Sequence, residues 1–208
     1  MATDAVTRSR HLQRGMLLEY LTISWNVIEG IIAVTGGAVS GSIALVAFGI
    51  DSFIETFSGG VLLWRLRAEH GGQDSMRVER KALKLVGVSF LLLGAYVAVD
   101  SIKSLVVRDA PERSLIGIGI AILSLIVMPW LAHAKRRAAG DLDSAALRAD
   151  SRQTSLCAYL SVILLGGLLL NAWFGWWWAD PIAALGMVPI IVKEGRDAFR
   201  GETCSDCH

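Results

Sequence analysis

Asp51 and Glu55 stand four residues apart in a stretch almost free of other charge. Between Arg14 and Arg65 the only other charged residues are Glu19 and Glu29. Residues at i and i+4 share one face of a helix, and Ser58 extends that face. A charged carboxylate at the centre of a membrane helix costs about 2.5–3.5 kcal/mol, and two adjacent ones repel each other. Such a pair becomes tolerable when it shares a proton or holds a cation. The bland alternative is a pair close enough to the helix end to reach the membrane interface. A second face of similar spacing lies at Asp150, Gln153, Cys157 and Ser161. If the two helices face each other, Asp51, Glu55, Gln153 and Cys157 bring two carboxylates, an amide and a thiol to one point. Carboxylate oxygen and thiolate sulfur bind zinc-like ions at about 2.0–2.3 Å. Gln is a weak ligand that would orient a water or another ligand. The alternative for Cys157 is a small buried hydrophobe.

The elements that position these residues are long and apolar. Of 208 residues, 53% are hydrophobic and 19% charged, against roughly 25% charged in a soluble domain. The net charge of +1 argues against a nucleic-acid-binding chain, and the apolar content against a disordered one. A water-soluble enzyme is not expected. A bilayer takes about 20 apolar residues per helix. On that measure six spans are predicted, at about 17–38, 42–64, 83–103, 114–134, 146–170 and 178–196. The sixth is the weakest. Asp180 reads as its N-cap and Pro181 as its first helical residue. The fold class is all-α, a polytopic membrane protein with an N-terminal segment at 1–16, a transmembrane domain at 17–196 and a tail at 197–208. The apolar stretch after Arg8, Arg10 and Arg14 reads as a retained first span, not a cleaved signal.

Basic residues set the orientation. They gather at the N-terminus, between spans two and three, at Lys135, Arg136, Arg137 and Arg148 between spans four and five, and after span six. Only Lys103, Arg108 and Arg113 fall on the other side. The positive-inside rule then puts both termini in the cytoplasm and Trp173, Trp176, Trp177 and Trp178 at the outer interface. Glycines 36, 37, 41, 59 and 60 would let helices approach and slide. Spans two and five each follow their polar pair with Gly-Gly (Gly59-Gly60, Gly166-Gly167).

Other polar groups allow more than one reading. Thr22, Asn26 and Glu29 form a stripe on span one, where Glu29 either moves protons or makes a helix contact. Tyr96 and Asp100 share a face of span three, and Asp100 reads as structural, within reach of Lys103. Cys204, Cys207 and His208 form a C-x-x-C-H string, the pattern of c-type haem attachment. Here it reads as a free tail or a weak soft-metal site. Glu69, His70 and Asp74 form either a metal site or a solvated loop.

Three segments resemble the cation diffusion facilitator family. Gly41 through Glu55 is similar to its span two, Arg148 through Cys157 to its span five, and Trp177-Trp178-Ala179-Asp180-Pro181 to the start of its span six. The resemblance implies transport of a divalent cation, usually outward and often against protons, with the metal held between spans two and five. The family pattern places His or Asp at the Gln153 position and Asp at the Cys157 position, and Asp rather than Glu at the Glu55 position. Zinc is the default cargo, with cadmium, iron, manganese and cobalt as alternatives. No cofactor, no enzymatic activity and no nucleic-acid partner are expected. The partners are the metal ion, protons and the lipid of an inner or plasma membrane. The chain resembles a short branch without the C-terminal cytoplasmic domain, so any homodimer would form through the spans. Two other readings stand beside transport: a membrane scaffold or regulator with a degenerate metal site, and a redox protein using the C-x-x-C-H string.

Overall fold

The computed structural model describes residues 2–70, 76–108, 112, 114–142 and 144–200, which form six α-helices and no strand. They are α1 (Ala2–Ser40), α2 (Ile43–His70), α3 (Met76–Val107), α4 (Leu115–Leu142), α5 (Ala145–Phe174) and α6 (Ala179–Arg200). Five contain a segment long and apolar enough to cross a membrane: His11–Ser40, Ile43–Trp64, Gly87–Val107, Leu115–Leu142 and Asp150–Phe174. α6 is the exception, because its 22 residues include Asp180, Lys193, Glu194, Arg196 and Asp197.

Polarity is distributed inside out. Leu92, Val99, Ile126, Trp130 and Val162 are exposed, while Glu19, Asn26, Glu29, Asp51, Glu55, Lys135, Asp150 and Asp180 are buried. A soluble domain does the reverse with its charges. Hydrocarbon outside and polar groups inside identify an integral membrane protein.

α2 is the central element, touching α1, α3, α5 and α6. α3 packs along α6 and α4 along α5. Small residues make the closest crossings. A Cβ on Gly87 would lie 2.6 Å from the backbone nitrogen of Phe199, and one on Gly195 2.9 Å from Phe90 Cβ, so α3 and α6 meet almost backbone to backbone. Gly37 and Gly49 do the same for α1 and α2 against Val46 and Val34, each at 2.7 Å. Without a hydrophobic drive between helices in lipid, such packing holds the bundle together. Gly60 faces open space and takes no part. Gly41, at φ 71°, turns the chain from α1 into α2.

Two expectations are corrected. The stretch at 135–145, read as the connection between spans four and five, is mostly helical. α4 continues to Leu142 and α5 starts at Ala145, so Lys135, Arg136, Arg137 and Arg148 are helical. Ala, Lys and Arg are good helix formers, which carries α4 through that stretch. Ser144 then caps α5 by accepting from the Leu147 amide at 3.4 Å.

Asp180, in turn, is not the N-cap of α6. It lies inside the first turn and caps α2 instead. Its carboxylate accepts from Ser42 Oγ, from the Ile43 amide at 2.9 Å and from the Ala44 amide at 3.4 Å. The first amides of α2 have no intrahelical partner and carry the positive end of the helix dipole. A buried carboxylate satisfies both. α6 needs no such help, since Trp176 and Trp178 carbonyls accept from Ala179 and Ile182.

The turn before α6 is aromatic. Gly175, at φ 66°, ends α5 by donating its amide to the Asn171 carbonyl. Trp173, Phe174, Trp176 and Trp178 are exposed there, and Trp176 stacks on Trp178 at 4.9 Å. Amphipathic indoles at one end of a bundle suit a membrane–water interface.

Candidate metal centre

The central helix presents Asp51 and Glu55 inward, both almost fully buried. α5 meets them with Gln153 and Cys157. All four line one cavity of about 10 Å³ between α2, α3, α5 and α6, walled by Phe90, Leu160, Ile190 and Ile191. That is about the space of one water or one bare cation. Gln153 is held by α2, since Ser58 donates to its carbonyl oxygen at 3.1 Å. Glu55 faces the thiol of Cys157 and the hydroxyl of Thr154 across the interface, and its Oε1 is buried without a hydrogen-bond donor. A buried carboxylate oxygen without a donor marks a place where a cation or proton is welcome. Among the described residues, no three His, Cys, Asp or Glu side chains yet converge as a finished ligand set. Coordination of an ion by three of these side chains would require them to swing inward from this arrangement.

The fourth member of the α5 face points elsewhere. Asp150 is buried and accepts from Lys135 Nζ, which also pairs with Glu19 Oε1 at 3.0 Å and donates to Thr154 at 3.3 Å. α1, α4 and α5 are thus tied by one buried cation and two carboxylates. This cation lies close enough to act on Glu55. The sequence reading missed it because Lys135 looked like a loop residue. The signal that could have found it is the i, i+4 step from Asp150 to Thr154 on the partner helix.

The stripe of α1 does face inward. Asn26 and Glu29 are fully buried, and Thr22 nearly so. Ser52 donates to Glu29 Oε2 at 3.1 Å, on the helix turn that carries Asp51. Ser161 donates to the Cys157 carbonyl at 2.8 Å and shares a hydroxyl–hydroxyl contact with Ser124 at 3.0 Å. A polar seam therefore runs beside the cavity through α1, α2, α4 and α5. Tyr96 donates to Asp100 at 3.4 Å on an exposed face of α3, apart from the cavity lining. Glu194 of α6 also lines the cavity, and the sequence analysis does not single it out, because it stands among Lys193, Arg196 and Asp197 at the charged end of the helix. The side chains of Glu69, His70, Asp74, Cys204, Cys207 and His208 lie outside the described residues.

Comparison with known proteins agrees with this architecture. The family model described as the cation efflux transmembrane domain matches residues 20–202. The chain is 26% identical over 174 residues to an uncharacterized transporter of Synechocystis sp., covering 81% of this chain and 56% of that protein. It is 25% identical over 183 residues to an uncharacterized transporter of Methanocaldococcus jannaschii, covering 85% and 64% respectively. It is 24% identical over 166 residues to the cation-efflux pump FieF of Shewanella oneidensis, covering 77% and 55%. The chain thus spans between about half and two thirds of the length of these relatives.

Proposed function

The chain belongs to the cation efflux family, and we propose that it carries a zinc-like divalent cation out of the cytoplasm in exchange for protons. Asp51, Glu55 and Cys157 are the ligands in this reading, with Gln153 orienting a water or a neighbouring ligand. The observation that carries it is the meeting of two buried carboxylates and a buried thiol, from two helices, in one ion-sized cavity. Zinc suits a mixed oxygen and sulfur set; cadmium, iron, manganese and cobalt are the alternatives to be titrated. The name and family of the cation-efflux pump relative support the direction.

The mechanism follows from charge. With the cytoplasmic side open, the ion enters and the ligands release their protons, because only deprotonated groups coordinate. The helices then rock about their glycine crossings and open the cavity outward. External protons compete the ion off. The protonated site, now close to neutral, returns at lower electrostatic cost than bare carboxylates would. Six spans, with both termini cytoplasmic and a homodimer through the spans, complete the proposal. α6 spans as part of the bundle, with its charged end at the cytoplasmic face.

The test is flux. Proteoliposomes holding the full chain are loaded with a zinc dye and a pH dye. The proposal predicts zinc uptake coupled to proton counterflow, lost in Asp51→Ala and in Glu55→Ala. Uptake that survives both substitutions removes the site. Zinc binding without any flux would favour the regulator reading.

A further inference from the structure

Glu194 and Glu55 stand at one depth, and the capping carboxylate explains why. Asp180 grips the first turn of α2 through Ser42, Ile43 and Ala44, so α2 and α6 start level and run the same way. Glu55 lies 13 positions beyond Ser42, and Glu194 lies 14 beyond Asp180. At 1.5 Å per residue these are about 20 and 21 Å down their helices. Glu194 accordingly lines the same small cavity as Asp51, Glu55, Gln153 and Cys157. On the same lining, Glu55 keeps a buried Oε1 without a donor. The neighbouring helix allows movement here. Pro189, five residues before Glu194, has no amide to donate inside α6, so that turn bends more easily.

We propose that Glu194 is a third carboxylate ligand to the transported cation, supplied by α6, which tilts the site towards oxygen-preferring divalent ions. This deepens the transport reading and rests on it. With Glu194 the cavity offers oxygens from Asp51, Glu55, Gln153 and Glu194 against one sulfur from Cys157. Hard ions such as Mn²⁺ prefer oxygen, while Cd²⁺ is held chiefly by thiolate. The Glu194 carboxylate therefore contributes more to Mn²⁺ than to Cd²⁺. Its half-buried place beside Lys193 and Arg196 also lets it meet the ion first from the end of the bundle that carries those charges.

The experiment measures Mn²⁺ and Cd²⁺ binding to the detergent-purified full chain by calorimetry. Glu194→Gln keeps the shape and removes the charge. Glu194→Asp, one methylene shorter, serves as the second variant, and Asp51→Ala as the reference for the site. The expected result is a loss of about tenfold or more in Mn²⁺ affinity for Glu194→Gln, with Cd²⁺ changed by about twofold or less. Glu194→Asp should fall between. Equal losses for both metals, or none, with Asp51→Ala abolishing binding, would overturn the role of Glu194 alone. Binding unchanged in Asp51→Ala, or absent from the parent chain, would overturn the transport site and this inference together.

Discussion

Lys135 is the residue that most constrains the bundle. Its ammonium is fully buried between Glu19 and Asp150, where water cannot share its charge. Taking one partner from a buried ion pair costs about 3–5 kcal/mol, since the other charge is left uncompensated. Lys135→Met should therefore lower the melting temperature in detergent sharply. The triple variant Lys135→Met, Glu19→Gln, Asp150→Asn should recover most of the loss. A melting temperature unmoved by Lys135→Met would mean that the charges reach water in the folded protein. At this scale the sequence was legible where polarity was anomalous. Asp51, Glu55, Gln153 and Cys157 stood out by type and spacing, and they do share a cavity. Lys135 did not stand out, because Arg136 and Arg137 beside it read as a solvated basic run. Depth along a helix, not residue type, separates them.

Among the elements, α6 was the hardest to read. Its apolar stretch is short, and charges crowd its C-terminal end. What seats it is partly local and partly not. The close crossing at Gly87 and Gly195 fixes it against α3, and Asp180 fixes it against α2. The Asp-Pro pair signalled a helix start, but the carboxylate serves a helix distant in sequence by 137 positions. One-dimensional capping rules cannot see such a partner. Asp180→Ala should cost about 0.5–2 kcal/mol and speed amide exchange in the first turn of α2, read by mass spectrometry. Asp180→Asn, which keeps an acceptor, should lose less. Exchange that rises only in α6 would return Asp180 to the role of a local cap. The five apolar helices were plain from hydropathy alone, though their ends were not. α4 runs past its apolar core to Leu142 because helix-forming residues continue.

For the whole molecule, the inverted arrangement of polarity decides both stability and work. Lipid-facing side chains are apolar and interchangeable, while the polar seam is specific. Because coordination displaces protons, acid must weaken metal binding and alkali strengthen it, until ligands are fully deprotonated. Zinc affinity should fall by about one decade per pH unit for each proton displaced. A flat dependence between pH 6 and 8 would contradict exchange of protons for metal. The most direct test of the central claim is X-ray absorption on the zinc-loaded full chain carrying Cys204→Ser and Cys207→Ser, so that a thiolate can come only from Cys157. The account predicts one sulfur at about 2.3 Å with oxygens at about 2.0–2.2 Å, and loss of the sulfur shell in Cys157→Ser. A first shell without sulfur, or one unchanged by Cys157→Ser, would contradict it.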